Sequence, residues 1–262
     1  MKELFSRYGV SRNRVLTATG LLLLCLGFNN CSMSTQAGNS QPVDSQLEAK
    51  VIQVIRNHPE VVMESVKTYQ QKKQEQQQKA QMTFLKRMKA NPKSVIGSSP
   101  TTGASEQKIV LVNFSDFQCP YCAKVHQTLK QFMAKHQGQV TLVYKHLPLT
   151  STHSEAMPAA KASWAAGQQG KFWEFHDALF ENQDKLSNSF YAATAKALNL
   201  DIKQFNQDRS SSAAIAAINN DIQFAEEIGV DSTPRLALNG EPLNEDVQLA
   251  DLEALLIKVN KR

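Results

Sequence analysis

The chain has 262 residues, 42% of them hydrophobic, enough for one good-sized domain with an appendage. Its formal charge is +5, but Lys2, Arg7, Arg12 and Arg14 all precede an apolar run over residues 15–28, and without residues 1–37 the charge is +2. The basicity is largely that of the N-terminus.

The N-terminus has the order of a secretory signal: basic residues, an apolar stretch centred on residues 21–24, then small and polar residues, with Thr35-Gln36-Ala37 as the cleavage site. The run is too short to span a membrane comfortably, which takes about 20 apolar residues. Residues 1–37 are read as a signal peptide and the mature chain as periplasmic. A lipid anchor at Cys31 is the less favoured alternative, because Phe28-Asn29-Asn30 lacks the small residues of a lipobox. Cys25 lies inside the apolar run as a small hydrophobe.

Residues 38–46 read as a polar linker, opening an N-terminal helical segment over residues 38–97. Leu47, Val51, Val54 and Ile55 recur at helical spacing, Asn57-His58-Pro59 breaks the pattern, and Pro59 is placed to start a second helix. That helix carries Val62, Val66 and Tyr69, a Gln/Lys tract over 70–79, and Phe84, Leu85 and Met88 before Asn91-Pro92. Residues 50–93 hold ten basic and three acidic groups. So narrow a stripe buries little alone. It is a solvated leader helix, a self-association surface or a nucleic-acid-binding face; the second is preferred because the apolar positions otherwise lie exposed, and export disfavours nucleic acid as a partner. A dimer is favoured, with a trimer as the alternative.

Residues 98–103 are expected to be a linker or turn at the start of an α/β domain over 98–262. Residues 109–114, Ile-Val-Leu-Val-Asn-Phe, predict a buried strand. A helix from Cys119 to about Lys135 turns Val125, Leu129, Phe132 and Met133 to the core, and residues 140–144 predict a second buried strand. The order βαβ predicts a parallel pair with a right-handed crossover. Residues 152–228 read as a helical insertion broken at Gly167, Gly170, Asn188 and Asn199. A short strand over 235–238, a hairpin turn at Asn239-Gly240 and a helix over 249–259 close the domain.

Cys119-Pro120-Tyr121-Cys122 carries the chemistry. A helix start presents unpaired N–H groups and the positive end of the helix dipole, which stabilise a thiolate at Cys119. Pro120 suits the first helical position, and Cys122 is one turn in, placed to resolve a mixed disulfide. A structural disulfide would close too short a loop to constrain the unfolded chain much. Zinc needs about four ligands, and beyond His126 as a third no second cysteine pair is at hand. After export only Cys119 and Cys122 remain as thiols, which suits a disulfide-handling protein.

Phe117-Gln118-Cys119-Pro120-Tyr121-Cys122, Lys145-His146-Leu147-Pro148, residues 170–176 (Gly-Lys-Phe-Trp-Glu-Phe-His) and Gly229-Val230-Asp231-Ser232-Thr233-Pro234 together resemble the DsbA-like proteins of the thioredoxin superfamily over about residues 105–260. The resemblance implies a thioredoxin-like fold with a helical insertion, preceded here by the N-terminal helical oligomerisation segment. It implies that Pro234 is cis and faces the Cys119 sulfur, leaving the Thr233 backbone free to pair with an extended client. Thr233, Pro234, Pro120 and Tyr121 would then form the client-binding surface. Pro-Tyr between the cysteines and Thr before the proline resemble the dimeric isomerases DsbC and DsbG more than monomeric DsbA. Arg235-Leu236-Ala237 and Asn244 depart from the usual pattern around the client groove.

The implied activity is an exported thiol:disulfide oxidoreductase that forms or isomerises disulfides, using no cofactor and no metal. Its clients would be reduced or misfolded exported proteins, its redox partner a membrane protein of DsbB or DsbD type. A holdase chaperone or surface-associated binding protein is the alternative. Asp116 could accept a proton from Cys122 or serve as a cap or turn residue. His126 could tune Cys119, although a surface histidine is the simpler expectation. His146, His153 and His176 are read as structural, and Trp164 and Trp173 as core residues.

Overall fold

A computed structural model describes residues 44–261, so the expected signal peptide, Cys25, Cys31 and most of the polar linker lie outside the described residues. The chain divides into two units after Asn57. In the first, α1 (Ser45–Asn57) buries none of its residues, and Leu47, Val51, Ile52, Val54 and Ile55 are exposed.

The second unit begins with α2 (Pro59–Ala90). Pro59 opens it because the first N–H of a helix has no intrahelical acceptor to lose. Val62, Val66 and Tyr69 stay exposed along its first half, whereas Phe84 and Met88 near its end are buried. The chain then reaches a five-stranded sheet of order β1-β3-β2-β4-β5, built from β1 (Thr101–Gly103), β2 (Ile109–Ser115), β3 (Val140–His146), β4 (Arg235–Leu238) and β5 (Glu241–Leu243). As the βαβ order predicts, β2 and β3 are parallel, in register from Ile109 opposite Val140 to Ser115 opposite His146, and α3 (Pro120–His136) connects them. The other pairs are antiparallel.

Two sequence expectations need correction here. Thr101–Gly103 is not merely a turn: it pairs with Val143, Leu142 and Thr141 as an edge strand. Gly167 does not break a helix but lies within α4 (Ala156–Gln168), and the reversal falls at Gly170, whose φ is +73°. The expected hairpin at Asn239-Gly240 is present, with φ of 44° and 80°. A Cβ at Gly240 would also run into the Leu85 carbonyl of α2.

Alternation along β2 assigns each side chain to one of two layers. Ile109 and Leu111 pack with Val125, Leu129 and Phe132 of α3 and with Leu252 and Leu256 of α9 (Leu249–Asn260). Val110, Val112 and Phe114 pack with Phe84, Met88, Val95 and Ile96, and with Ala225 and Ile228 at the end of α8 (Ser212–Glu227). The expected N-terminal segment, residues 38–97, thus ends inside the core.

The insertion comprises α4, α5 (Phe172–Glu181), α6 (Asn188–Ala197), α7 (Ile202–Arg209) and α8. Asn188 starts α6, with Ser187 capping the Phe190 N–H, instead of marking a break. Buried alanines of α4 let α5 and α7 approach closely, and their cluster continues into Phe117, Cys119, Cys122 and Tyr144. The two cysteines therefore sit where the sheet meets the insertion. A buried ion pair fastens the two parts together. Lys145 Nζ on β3 lies 3.1 Å from Asp221 Oδ1 on α8 and also donates to Ile96 O and Ser99 Oγ, while Asp221 Oδ2 accepts from the His146 N–H.

Candidate functional site

Cys119 is the N-cap of α3, in extended conformation (φ −72°, ψ 122°), and Pro120 is the first helical residue. Its N–H donates to Asp116 O at 3.2 Å and its carbonyl accepts from the Ala123 N–H at 3.2 Å. These bonds hold the sulfur at the open N-terminus of a 17-residue helix. Across from it the Thr233–Pro234 peptide is cis, and Cys119 Sγ lies 3.6 Å from the Thr233 carbonyl oxygen. Cys119, Cys122, Thr233 and Pro234 are buried, whereas Pro120 is exposed and Tyr121 is 62% exposed. The expected attacking and resolving cysteines and the expected client-binding loop thus come together at one place, with an exposed aromatic beside them.

The environment pushes the two thiols in opposite directions. Hydrogen bonding from Cys122 lowers Cys119 to about 5; burial opposes this, and the Cys122 amide and Thr233 hydroxyl lower it further. Thr233 Oγ1 is buried with no hydrogen-bond partner within ordinary geometry, so its influence on the sulfur is the weaker one. Cys122 is raised, chiefly by burial and then by its bond to Cys119, with the Ser115 hydroxyl and Asp116 amide opposing. The surroundings thus favour negative charge on the first sulfur and the proton on the second.

Asp116 is an organiser of the loop. Its carboxylate is fully buried, with Oδ1 accepting from the Gln118 N–H at 2.8 Å and Oδ2 accepting from the Leu149 N–H at 2.9 Å. His153 Nδ1 lies 2.7 Å from the same Oδ2. Oδ1 closes a turn over Gln118, and Oδ2 joins the end of β2 to the chain after β3, which is the cap-or-turn geometry. His126 departs from expectation: it is 4% exposed, not a surface histidine, and stacks on Phe180 of α5. Burial, aided by the neighbouring His176, pushes it down to about 4. His146 and His176 are buried and lowered for the same first reason.

Gln183 was not foreseen. From the short turn after α5 its Nε2 donates to Phe117 O at 2.7 Å and Cys119 O at 2.9 Å, clamping the loop that delivers the first cysteine. It lies 64 residues from Cys119, and no local pattern marks it.

Among known proteins, the family described as Thioredoxin matches residues 94–258. The Na(+)/H(+) antiporter NhaA 1 of Mycolicibacterium vanbaalenii is 37% identical over 140 residues, covering 53% of this chain and 23% of that protein. The chain thus spans under a quarter of the length of such curated relatives. Of solved structures, a thioredoxin-like oxidoreductase from Silicibacter pomeroyi is similar at TM-score 0.58 and 26% identity, over 63% of this chain and 94% of that one. The thiol-disulfide exchange protein alpha-DsbA2 of Wolbachia pipientis shares the fold at TM-score 0.58 and 23% identity, over 70% and 97%. No helix among the described residues is long and apolar enough to cross a membrane.

Proposed function

This chain belongs to the thioredoxin family, and from that premise we propose that it is an exported thiol:disulfide oxidoreductase acting through Cys119 and Cys122. The observation that carries the reading is the buried Cys119 sulfur at the N-cap of α3, lowered to about 5 and 3.6 Å from the carbonyl that precedes Pro234.

The Cys119 thiolate attacks one sulfur of a client disulfide, forming a mixed disulfide and releasing the other client sulfur as a thiolate. Cys122 then loses its proton and attacks Cys119 Sγ. The client leaves as a thiol, and a Cys119–Cys122 disulfide remains. Run backwards, the same steps oxidise a client dithiol, and a thiolate as stable as Cys119 is a good leaving group in that direction. If a client thiol resolves the mixed disulfide instead, the client is isomerised. The Pro-Tyr dipeptide and Thr233 support isomerisation alongside oxidation. Reduced or misfolded exported proteins are the clients, and a membrane protein of DsbB or DsbD type resets the pair.

The exposed apolar residues of α1 and of the first half of α2 support a homo-oligomer, a dimer being favoured. Cys119→Ser should abolish insulin reduction and the refolding of a scrambled substrate; retained activity overturns the assignment. The same exposed residues support a second reading, a holdase. It requires suppression of aggregation to survive loss of both cysteines and to vanish when residues 44–72 are deleted. That deletion stops short of Gln77, which packs against Gly229, and of the buried Phe84.

A further inference from the structure

We propose that His126, His176 and Asp177 form a binding site for one divalent transition-metal ion of the zinc class, separate from the thiols. The residues come from two facing helices, α3 and α5, and one ligand atom from each lies within 4.8 Å of the others. Asp177 Oδ1 is 2.9 Å from His176 Nδ1 and 3.8 Å from His126 Nε2. The two imidazoles, 5.2 Å apart and inclined at 70°, do not stack on each other.

Independent of this clustering, His126 Nε2 is buried and has no hydrogen-bond partner. Such a nitrogen is costly unless something occupies it, and the Asp177 oxygen is too far away to do so. A neutral imidazole offers a cation the lone pair of one ring nitrogen. Asp177, at 37% side-chain exposure, supplies negative charge and a route in from solvent. Its other oxygen, Oδ2, lies 3.5 Å from Lys130 Nζ, which Glu181 holds at 2.7 Å. Oδ1 is paired with His176 Nδ1, and an ion bound between them displaces the proton that they share.

The three residues line a cavity of about 160 Å³ together with Asn113, whose Oδ1 is likewise buried without a partner. The cavity has room for a water on the fourth coordination position, and Asn113 offers it an acceptor. Two imidazoles and one carboxylate are a donor set for zinc, and their nitrogens disfavour calcium and magnesium. The resulting clip would tie the helix that carries the cysteines to the insertion.

The test uses the chelator-treated protein with its Cys119–Cys122 disulfide formed, so that the thiols cannot compete. Zn²⁺ is titrated by calorimetry and Co²⁺ by its visible absorption. One ion per chain is expected, with tetrahedral cobalt bands and a raised thermal midpoint. His126→Gln and Asp177→Asn should each weaken uptake at least tenfold while the metal-free proteins unfold at midpoints close to that of the parent. Asp177→Asn alters a partly exposed side chain, so it is decisive even if His126→Gln fails to fold. Absence of stoichiometric uptake, or uptake undiminished in Asp177→Asn, overturns the proposal.

Discussion

The two ends of α2 carry the same kind of apolar spacing and meet opposite fates. Val62, Val66 and Tyr69 stand in solvent, whereas Phe84 and Met88 are buried against Val110, Val112 and Phe114 of the sheet. Periodicity marks which face of a helix wants burial, and the neighbour decides whether it is buried and what that is worth. At the far end the neighbour is the sheet. At the near end the described residues supply none, and a second copy of the chain is the partner we propose.

The contrast is broken most severely by removing what locks the sheet to its outer helices. Asp221→Ala leaves Lys145 charged and buried without its partner, and should lower the unfolding free energy by about 3–5 kcal/mol in urea titrations. Phe84→Ala opens a cavity beside Phe114 and Phe224 and should cost about 3–5 kcal/mol. Val62→Ala, on the same helix, should change the unfolding of a dilute, dissociated protein by no more than about 0.5 kcal/mol. If self-association covers Val62, its cost should grow with protein concentration, because a partner that binds only the folded chain stabilises it by mass action. A Val62→Ala effect that is large at every dilution would mean that α2 is buried along its whole length within one chain.

How much of this was legible in the sequence follows from how local each signal is. The runs in β2 and β3, the start of α3 at Pro120 and the Asn239-Gly240 turn are set by neighbouring residues, and they fall where expected. Thr101–Gly103 is too short and too polar to announce a strand, and it becomes one because β3 offers an open edge. The burial of His126 was missed because its covering surface, Phe180 and His176, arrives from the insertion about 50 residues later. The same separation hides the Asp116–His153 contact and the Gln183 clamp. Within the site, the cysteines and the Thr233–Pro234 loop were legible because their chemistry constrains residue type. The residues that hold them in place were not, because a backbone carbonyl accepts from any well-placed donor.

The smallest expected effect is at Thr233, and it asks how much of the low pKa at Cys119 belongs to the facing loop and how much to the helix. In the reduced parent protein, alkylation of Cys119 by iodoacetamide should rise with pH through a midpoint of about 5, while Cys122 stays unreactive through neutrality. The sign for stability follows. Because the folded value lies below the ordinary 9.0, the thiolate's contribution to the reduced fold is fully present above pH 9 and fades as pH falls through about 5. Thr233→Val keeps the shape and the backbone carbonyl but removes the hydroxyl. The hydroxyl makes no full hydrogen bond and ranks behind both Cys122 groups in lowering the thiol, so the midpoint should move up by only a few tenths of a unit, where one unit is about 1.4 kcal/mol. It should remain below 9.0, because the larger contribution, from Cys122, is untouched. No movement would assign the whole shift to Cys122 and the helix start, leaving the loop to hold the client alone.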